Sequence, residues 1–331
     1  MPGRGRRRIA VLGAGAWGTA LAVQGARAGN AVGLWARDPA RAAAIGAAGE
    51  NAKYLPGVRI SPAIAVTTEA EAALEGALIV LVAVPAQHLR AVMAALPDTG
   101  VPLVVCAKGV ERGTTRLPLE VVAEVRPGRV AAVLSGPNFA HEVAKGLPAA
   151  AVVASRDAGL RNLAAELLGT AGFRLYGGDD PVGVQVGGAA KNVISIAAGA
   201  VTGAGLGENA RAALVTRGLA ELSRLTVALG GRAETAAGLS GLGDLLLTTT
   251  GPGSRNTSLG VEIARGASLA DALASRVGVA EGVETAPAIV ARGEAAGVEL
   301  PICAAVADLL AGRLALGEAM GRLLARPRRD E

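Results

Sequence analysis

Six residues decide most of what this chain can fold into. Gly13-Ala14-Gly15-Ala16-Trp17-Gly18 stand between a strand-length apolar run, Ile9 to Leu12, and a helix-length segment, Thr19 to Ala28. In a strand-turn-helix unit the first glycine permits the tight turn, Gly15 lets backbone approach a pyrophosphate, and Gly18 lets the helix lie close to the strand. The free N–H groups at the helix start then attract the negative charge. With 47 glycines in the chain, the placement of the motif rather than its spelling carries this reading.

The same region mimics an export signal, with Arg6 to Arg8, an apolar run from Ile9 to Val23, and Ala26-Arg27-Ala28. Glycines interrupt that run and cleavage would remove the turn, so a retained nucleotide site is expected. A second mimic, Val182 to Ala204, has the length of a membrane span. Lys191 at its centre would cost about 2.5–3.5 kcal/mol in lipid, and the surrounding Gly and Ala offset little of that. A helix buried in protein is expected instead.

Short β-branched runs recur up to Tyr176: Ile9–Leu12, Ala31–Trp35, Leu78–Val84, Leu103–Cys106, Val130–Leu134, Ala150–Ala154 and Phe173–Tyr176. Between several of them lie Ala-rich segments of helix length, such as Glu69–Leu74 and Gln87–Leu96. That alternation predicts a parallel sheet covered on both faces. After Asp180 the strand signals stop, and helices are expected over 182–203, 208–229, 257–265, 268–275, 284–296 and 302–325. Within 208–229, Arg217, Glu221 and Arg224 share one face opposite Leu214, Leu222 and Leu225, so these charges read as surface pairs. Gly177-Gly178-Asp179-Asp180-Pro181 both stops a strand and caps a helix, dividing the chain into 1–180 and 181–331.

A length of 331 residues fits two packed domains. The net charge of +5 comes from the ends, where seven Arg (4, 6, 7, 8, 326, 328, 329) lie with Asp330 and Glu331; elsewhere basic and acidic residues balance. A neutral body with solvated basic tails and six aromatic residues argues against nucleic-acid binding. Cys106 and Cys303 are far apart in apolar segments, which fits a reducing, cytoplasmic setting. His88 and His141 are the whole histidine stock, so neither a metal site nor a histidine base is expected.

The chain uses 29 Arg but only four Lys: Lys53, Lys108, Lys145 and Lys191. Arginine cannot release its proton in practice, whereas a desolvated lysine can exchange one. Lys191, alone on an apolar helix, is the candidate acid/base, set against a lysine that merely snorkels to the surface. Lys108 ends a strand at the edge where doubly wound sheets hold ligands. Lys53 and Lys145 read as solvated. Near the end of the second strand, Arg37 is placed to pair with a 2′-phosphate, with Asp38 beside it as the usual ribose acid, so NADP(H) or NAD(H) is expected.

Gly251-Pro252-Gly253-Ser254-Arg255-Asn256 precedes a predicted helix near Thr257, a seat for a phosphate or, alternatively, a capped surface turn. Asp244, inside Gly241 to Leu247, needs a partner: a substrate hydroxyl, the Lys191 ammonium, or a backbone N–H.

Taken together the motifs resemble the bacterial NAD(P)-dependent glycerol-3-phosphate dehydrogenase family. The resemblance rests on Gly13–Ala22, Asn51–Gly57, Ala83-Val84-Pro85, Ala107-Lys108-Gly109, Ser135–Ala140, Gly188–Val193, Asn209–Glu221, Gly241–Leu247, Ser254-Arg255-Asn256 and Glu281-Gly282. It implies an α/β fold, with an N-terminal Rossmann-type doubly wound sheet and a C-terminal all-α domain, working as a homodimer in glycerophospholipid synthesis. The implied reaction is reduction of dihydroxyacetone phosphate to sn-glycerol 3-phosphate.

It further implies Lys191 as the acid/base, with Lys108, Gly136, Asn138, Asp244, Ser254, Arg255 and Asn256 lining the substrate. Gly13, Gly15, Ala16, Trp17, Gly18, Arg37, Lys108, Ala140, Arg255, Val279 and Glu281 would hold the cofactor. Ala16 and Ala86 stand where Ser is usual, and Asn138 where Ser or Thr is usual, so individual hydroxyl contacts are lost or altered. Two competing readings are a 3-hydroxy acid dehydrogenase with a similar Lys-Asn helix, which would lack the Ser254-Arg255-Asn256 seat, and a nicotinamide-sensing protein without chemistry.

Overall fold

The computed structural model describes residues 7–251, 253–274 and 276–325. Most of the charged termini (Arg4, Arg6, Arg326, Arg328, Arg329, Asp330, Glu331), and Pro252 of the phosphate-seat motif, lie outside the described residues. The chain forms two compact units: residues up to Lys108 with Leu117–Gln185, and Gly109–Arg116 with Val186 onward.

The first unit is built on an eight-stranded sheet. Its strands are β1 (Arg8–Leu12), β2 (Ala31–Trp35), β5 (Ile64–Thr67), β6 (Val80–Val82), β7 (Leu103–Val105), β8 (Ala131–Ser135), β9 (Ala149–Ala154) and β10 (Phe173–Gly178). A separate antiparallel pair, β3 (Glu50–Asn51) and β4 (Leu55–Arg59), sits between β2 and β5 in the sequence. The sheet order is β10-β9-β8-β7-β6-β1-β2-β5. Ile9 and Val11 of β1 enter one apolar core while Ala10 and Leu12 enter another. A sheet covered on both faces needs that, and it explains why the strands read as unbroken apolar runs. The order reverses at β1, with β2 on one side and β6 on the other, so a crevice opens beyond the carboxyl ends of these strands.

Two expectations need correction here. The sheet is not wholly parallel: β8 and β9 pair antiparallel, Val133 opposite Ala154. The connection between them holds only the six-residue helix Ala140–Lys145, which packs beside the first helix, Ala16–Arg27. The chain thus re-enters the sheet from the end at which β8 left it. The edge strand β5 was passed over although Ala63–Val66 is as long an apolar run as Ile9–Leu12, and the short β3–β4 pair has no continuous apolar run.

In the second unit the helices run Gly207–Ala228, Arg255–Ala264, Leu269–Ala274 and Glu281–Ala295, with the expected 302–325 segment broken into Pro301–Leu310 and Leu316–Leu324. The helix Pro181–Gly203 has the length and apolar character of a membrane span, yet its apolar stretch is wholly buried in the protein. Asp180 caps it, its Oδ1 accepting from the Gly183 N–H at 2.9 Å.

Glu221 is the second correction, for it is no surface charge. It is 2% exposed, and its carboxylate accepts from the N–H groups of Ile302 and Cys303 at 2.7 and 3.3 Å. It thereby caps the start of Pro301–Leu310 across a gap of some eighty residues, satisfying donors that a helix N-terminus leaves free. Helical periodicity alone cannot reveal an acid turned inward to cap another helix.

Burial raises the Glu221 carboxyl above its ordinary 4.5, against the lowering effect of those two N–H groups and Arg224. The folded protein therefore holds this proton more tightly than the unfolded chain. The stability it contributes is complete below the unfolded value and is lost as pH rises through the folded one. Urea unfolding of wild type and Glu221→Gln across that window is expected to show the wild-type advantage shrinking as pH rises above 4.5. An advantage that grew with pH would contradict this assignment.

Candidate active site

In the first unit the glycine turn has the geometry its spacing predicts. Gly13 adopts φ +109°, and a side-chain carbon there would lie 2.7 Å from the Ala83 carbonyl oxygen, at the end of β6. At Gly18 such a carbon would lie 1.8 Å from the Gly13 carbonyl oxygen, so the helix and turn touch backbone to backbone. A carbon on Gly15, in contrast, would meet no protein atom within 4 Å. The helix Ala16–Arg27 begins at Gly15 with no side-chain cap. An open approach at Gly15, uncapped helix N–H groups and a sheet switch point together fit a dinucleotide pyrophosphate. Trp17 packs against the core beside the turn, its buried indole N–H without a hydrogen-bond partner among the described residues.

Arg37 is exposed. Asp38 is committed elsewhere: its Oδ1 accepts from the N–H groups of Ala40 and Arg41 at 3.0 and 3.4 Å, capping the helix Pro39–Ala48. Lys108, just past β7, donates from Nζ to the Gly136 carbonyl at 3.0 Å. Gly136 holds φ +138°, a conformation few other residues adopt. Asn138 donates to the Ala150 carbonyl at 3.1 Å while its own Oδ1 is buried without a hydrogen-bond partner among the described residues. Lys108, Gly136 and Asn138 thus form one cluster. Ala140 opens the short helix that follows it.

The second unit gathers the other candidates around Lys191. Its Nζ lies 3.1 Å from Asp244 Oδ1, with the side chains 9% and 2% exposed. A buried carboxylate stabilises the ammonium form against the desolvation that burial imposes. Close packing sets this pair. A side-chain carbon at Gly187 would lie 2.6 Å from the Ser240 carbonyl oxygen, so the Lys191 helix can approach the π-helical turn Leu239–Gly243 that delivers Asp244. One turn further along the Lys191 helix and the helix Asp244–Thr250 that continues from the π-turn, Ser195 Oγ donates to Thr248 Oγ1 at 2.9 Å, tying them a second time. Thr248 in turn donates to the Asp244 carbonyl at 2.7 Å.

The phosphate-seat residues reach the same helix. A carbon on Gly199 would lie 2.0 Å from the Thr257 carbonyl oxygen, so helix Arg255–Ala264 crosses the Lys191 helix at backbone contact. Ser254 caps that helix, its Oγ accepting from the Thr257 N–H at 3.2 Å. The helix starts two residues before the expected Thr257 because Ser254 is the cap. Asn256 donates to Asn192 Oδ1 at 2.9 Å and accepts from the Gly282 N–H at 3.2 Å, joining three helices next to Lys191. Arg255 is exposed, and Arg276 pins its carbonyl at 2.9 Å. Val279 is 45% exposed, and Glu281 begins the helix Glu281–Ala295.

Asn192, Ser195 and Thr248 were not singled out from sequence. Their signal was present: Ser195 and Thr248 follow Lys191 and Asp244 by four residues each, the spacing of one helical turn. Among the described residues no group of His, Cys, Asp or Glu is arranged to hold a metal ion. Cys106 and Cys303 are buried and free, and burial pushes the Cys106 thiol up to about 12, so neither is poised as a nucleophile.

Comparisons with known proteins agree over nearly the whole chain. Residues 8–160 match the family model for the NAD-dependent glycerol-3-phosphate dehydrogenase N-terminus, and residues 180–321 match that for the C-terminus. A glycerol-3-phosphate dehydrogenase [NAD(P)+] of Gluconobacter oxydans is 53% identical over 289 residues, covering 86% of this chain and 87% of its own. One from Parvibaculum lavamentivorans is 48% identical over 329 residues, 98% of each chain. The crystal structure of glycerol-3-phosphate dehydrogenase from Coxiella burnetii superposes with a TM-score of 0.93 at 37% identity, covering 97% of this chain and 99% of its own.

Proposed function

Because the chain belongs to the NAD-dependent glycerol-3-phosphate dehydrogenase family, we propose the following division of labour among its residues. The protein is an oxidoreductase that reduces dihydroxyacetone phosphate to glycerol 3-phosphate with NAD(P)H, and runs the reverse. Lys191 is the proton donor and acceptor. The observation that carries this is a buried ammonium held 3.1 Å from a buried carboxylate, in a chain with four lysines.

Gly13, Gly15, Ala16, Trp17 and Gly18 hold the cofactor pyrophosphate and its surroundings, Arg37 its adenine ribose, and Lys108, Ala140, Arg255, Val279 and Glu281 the remainder. When bound, the reduced cofactor supplies a hydride. As the substrate carbonyl carbon gains that electron pair, its oxygen becomes anionic, and Nζ of Lys191 delivers the proton that makes it a hydroxyl. In oxidation the neutral amine takes the proton back. Asp244 holds Nζ in place and lowers the cost of its charged form. Arg255, with Ser254 and Asn256, grips the phosphate, so that binding energy from a non-reacting group orients the reacting carbon. Lys108, Gly136 and Asn138 complete the substrate contacts. Residues 1–180, which carry most of the cofactor residues, form the cofactor domain, and 181–331, which carry most of the substrate residues, the substrate domain, in a cytoplasmic homodimer that supplies the backbone of glycerophospholipids.

The test of function is the absorbance of NADPH. Its loss is expected only when dihydroxyacetone phosphate is added, whereas a 3-hydroxy acid oxidised in its place would overturn the substrate assignment. Since Asp38 is occupied as a helix cap while Arg37 is exposed, NADPH is expected to show the lower KM of the two nicotinamides. A strong preference for NADH would contradict the role given to Arg37.

A further inference from the structure

We propose that Asn51 is a positioning residue for the cofactor, setting the glycine turn from outside it; the proposal rests on reading that turn as the dinucleotide site. The strand end of the turn is fixed by the Gly13 N–H, which donates to the Trp35 carbonyl at 3.0 Å. At the helix end, Gly15 gives no side-chain cap, and Ala16 brings no hydroxyl. Asn51 supplies a side-chain tie there. Its Nδ2 donates to the Ala14 carbonyl at 3.0 Å and to Thr19 Oγ1 at 2.8 Å, spanning the first turn of the helix from a point more than thirty residues away in sequence.

Asn51 itself is firmly seated. It is 2% exposed and lies in β3, paired with Leu55 of β4. Leu55 and Val58 anchor that pair in the core shared with the first helix. A buried amide is costly unless its donors are satisfied, and here both acceptors belong to the helix start that faces the pyrophosphate. Asn51 touches no reacting atom. It acts by keeping the Gly13–Gly15 backbone in its binding conformation before the cofactor arrives, which lowers the ordering cost of binding.

The test compares wild type with Asn51→Leu, similar in size but lacking the donor, in calorimetric titrations with NADPH, ADP-ribose 2′-phosphate and adenosine 2′-monophosphate. The first two carry a pyrophosphate and the third has no 5′-phosphate at all. The expected result is a rise in Kd of about tenfold for the two pyrophosphate ligands, with adenosine 2′-monophosphate unchanged. At saturating NADPH, kcat and the KM for dihydroxyacetone phosphate should also stay unchanged. Unaltered Kd values for all three ligands would overturn the proposal, and so would an equal loss for all three, the mark of a merely structural role. Thr19→Val removes one acceptor and is expected to give a smaller loss with the same ligand pattern, so the question stays answerable if Asn51→Leu does not fold. Failure of wild type to bind either NADPH or NADH would instead overturn the dinucleotide reading beneath it.

Discussion

Lys191→Met is expected to lower turnover of dihydroxyacetone phosphate by about 10²–10⁴-fold, the range a positioned proton donor contributes, while NADPH still binds with its wild-type Kd. Methionine fills much of the same volume and brings no proton. The loss should therefore fall on kcat, because the proposed phosphate grip is made by other side chains. The alternative, a lysine buried only to pair with Asp244, makes a different forecast: the protein would be destabilised but its turnover per folded molecule would survive. Steady-state kinetics beside a thermal melt separates the two.

Asp244→Asn removes the charge partner of a buried ammonium without changing the volume of the site. Breaking a buried ion pair at one end costs about 3–5 kcal/mol, so a large drop in unfolding free energy is expected. Part of that cost is avoided if Lys191 releases its proton, since the neutral amine no longer needs a counter-charge. The kinetic consequence has a definite sign. Under the proposed role of Lys191, reduction needs the protonated amine, so the alkaline limb of the kcat/KM profile should move to lower pH in the variant. An unchanged profile together with unchanged stability would show that the 3.1 Å contact has no energetic weight.

The parts of the molecule legible in its sequence are those governed by local rules. The Gly13–Gly18 turn was readable because strand, turn and helix each have a local signature and must follow one another. Lys191 stood out because an isolated charge on an apolar helix demands a reason. Asp244 demanded a partner for the same reason, and the ammonium was one of the alternatives named. What stayed hidden depends on which distant element arrives alongside. Glu221 looks like a surface acid until the start of helix Pro301–Leu310 is placed against it. Asn51 is only the first letter of the Asn51–Gly57 motif until its amide is seen to reach Ala14 and Thr19. The antiparallel entry of β9 depends on where a six-residue helix packs, and no strand-length apolar run encodes that. Glycine contacts are an intermediate case: the composition of the Lys191 helix announces close approach, but not that Ser240 and Thr257 are what approaches.

The proton-transfer role of Lys191 is tested most directly by a crystal structure of the enzyme with oxidised cofactor and glycerol 3-phosphate. The distance to read is that from Nζ of Lys191 to the oxygen on the substrate's central carbon. A separation of about 2.6–3.2 Å, hydrogen-bond reach for a group that transfers a proton, is the predicted result. An Nζ turned toward bulk water, with another titratable side chain on that oxygen, would contradict it.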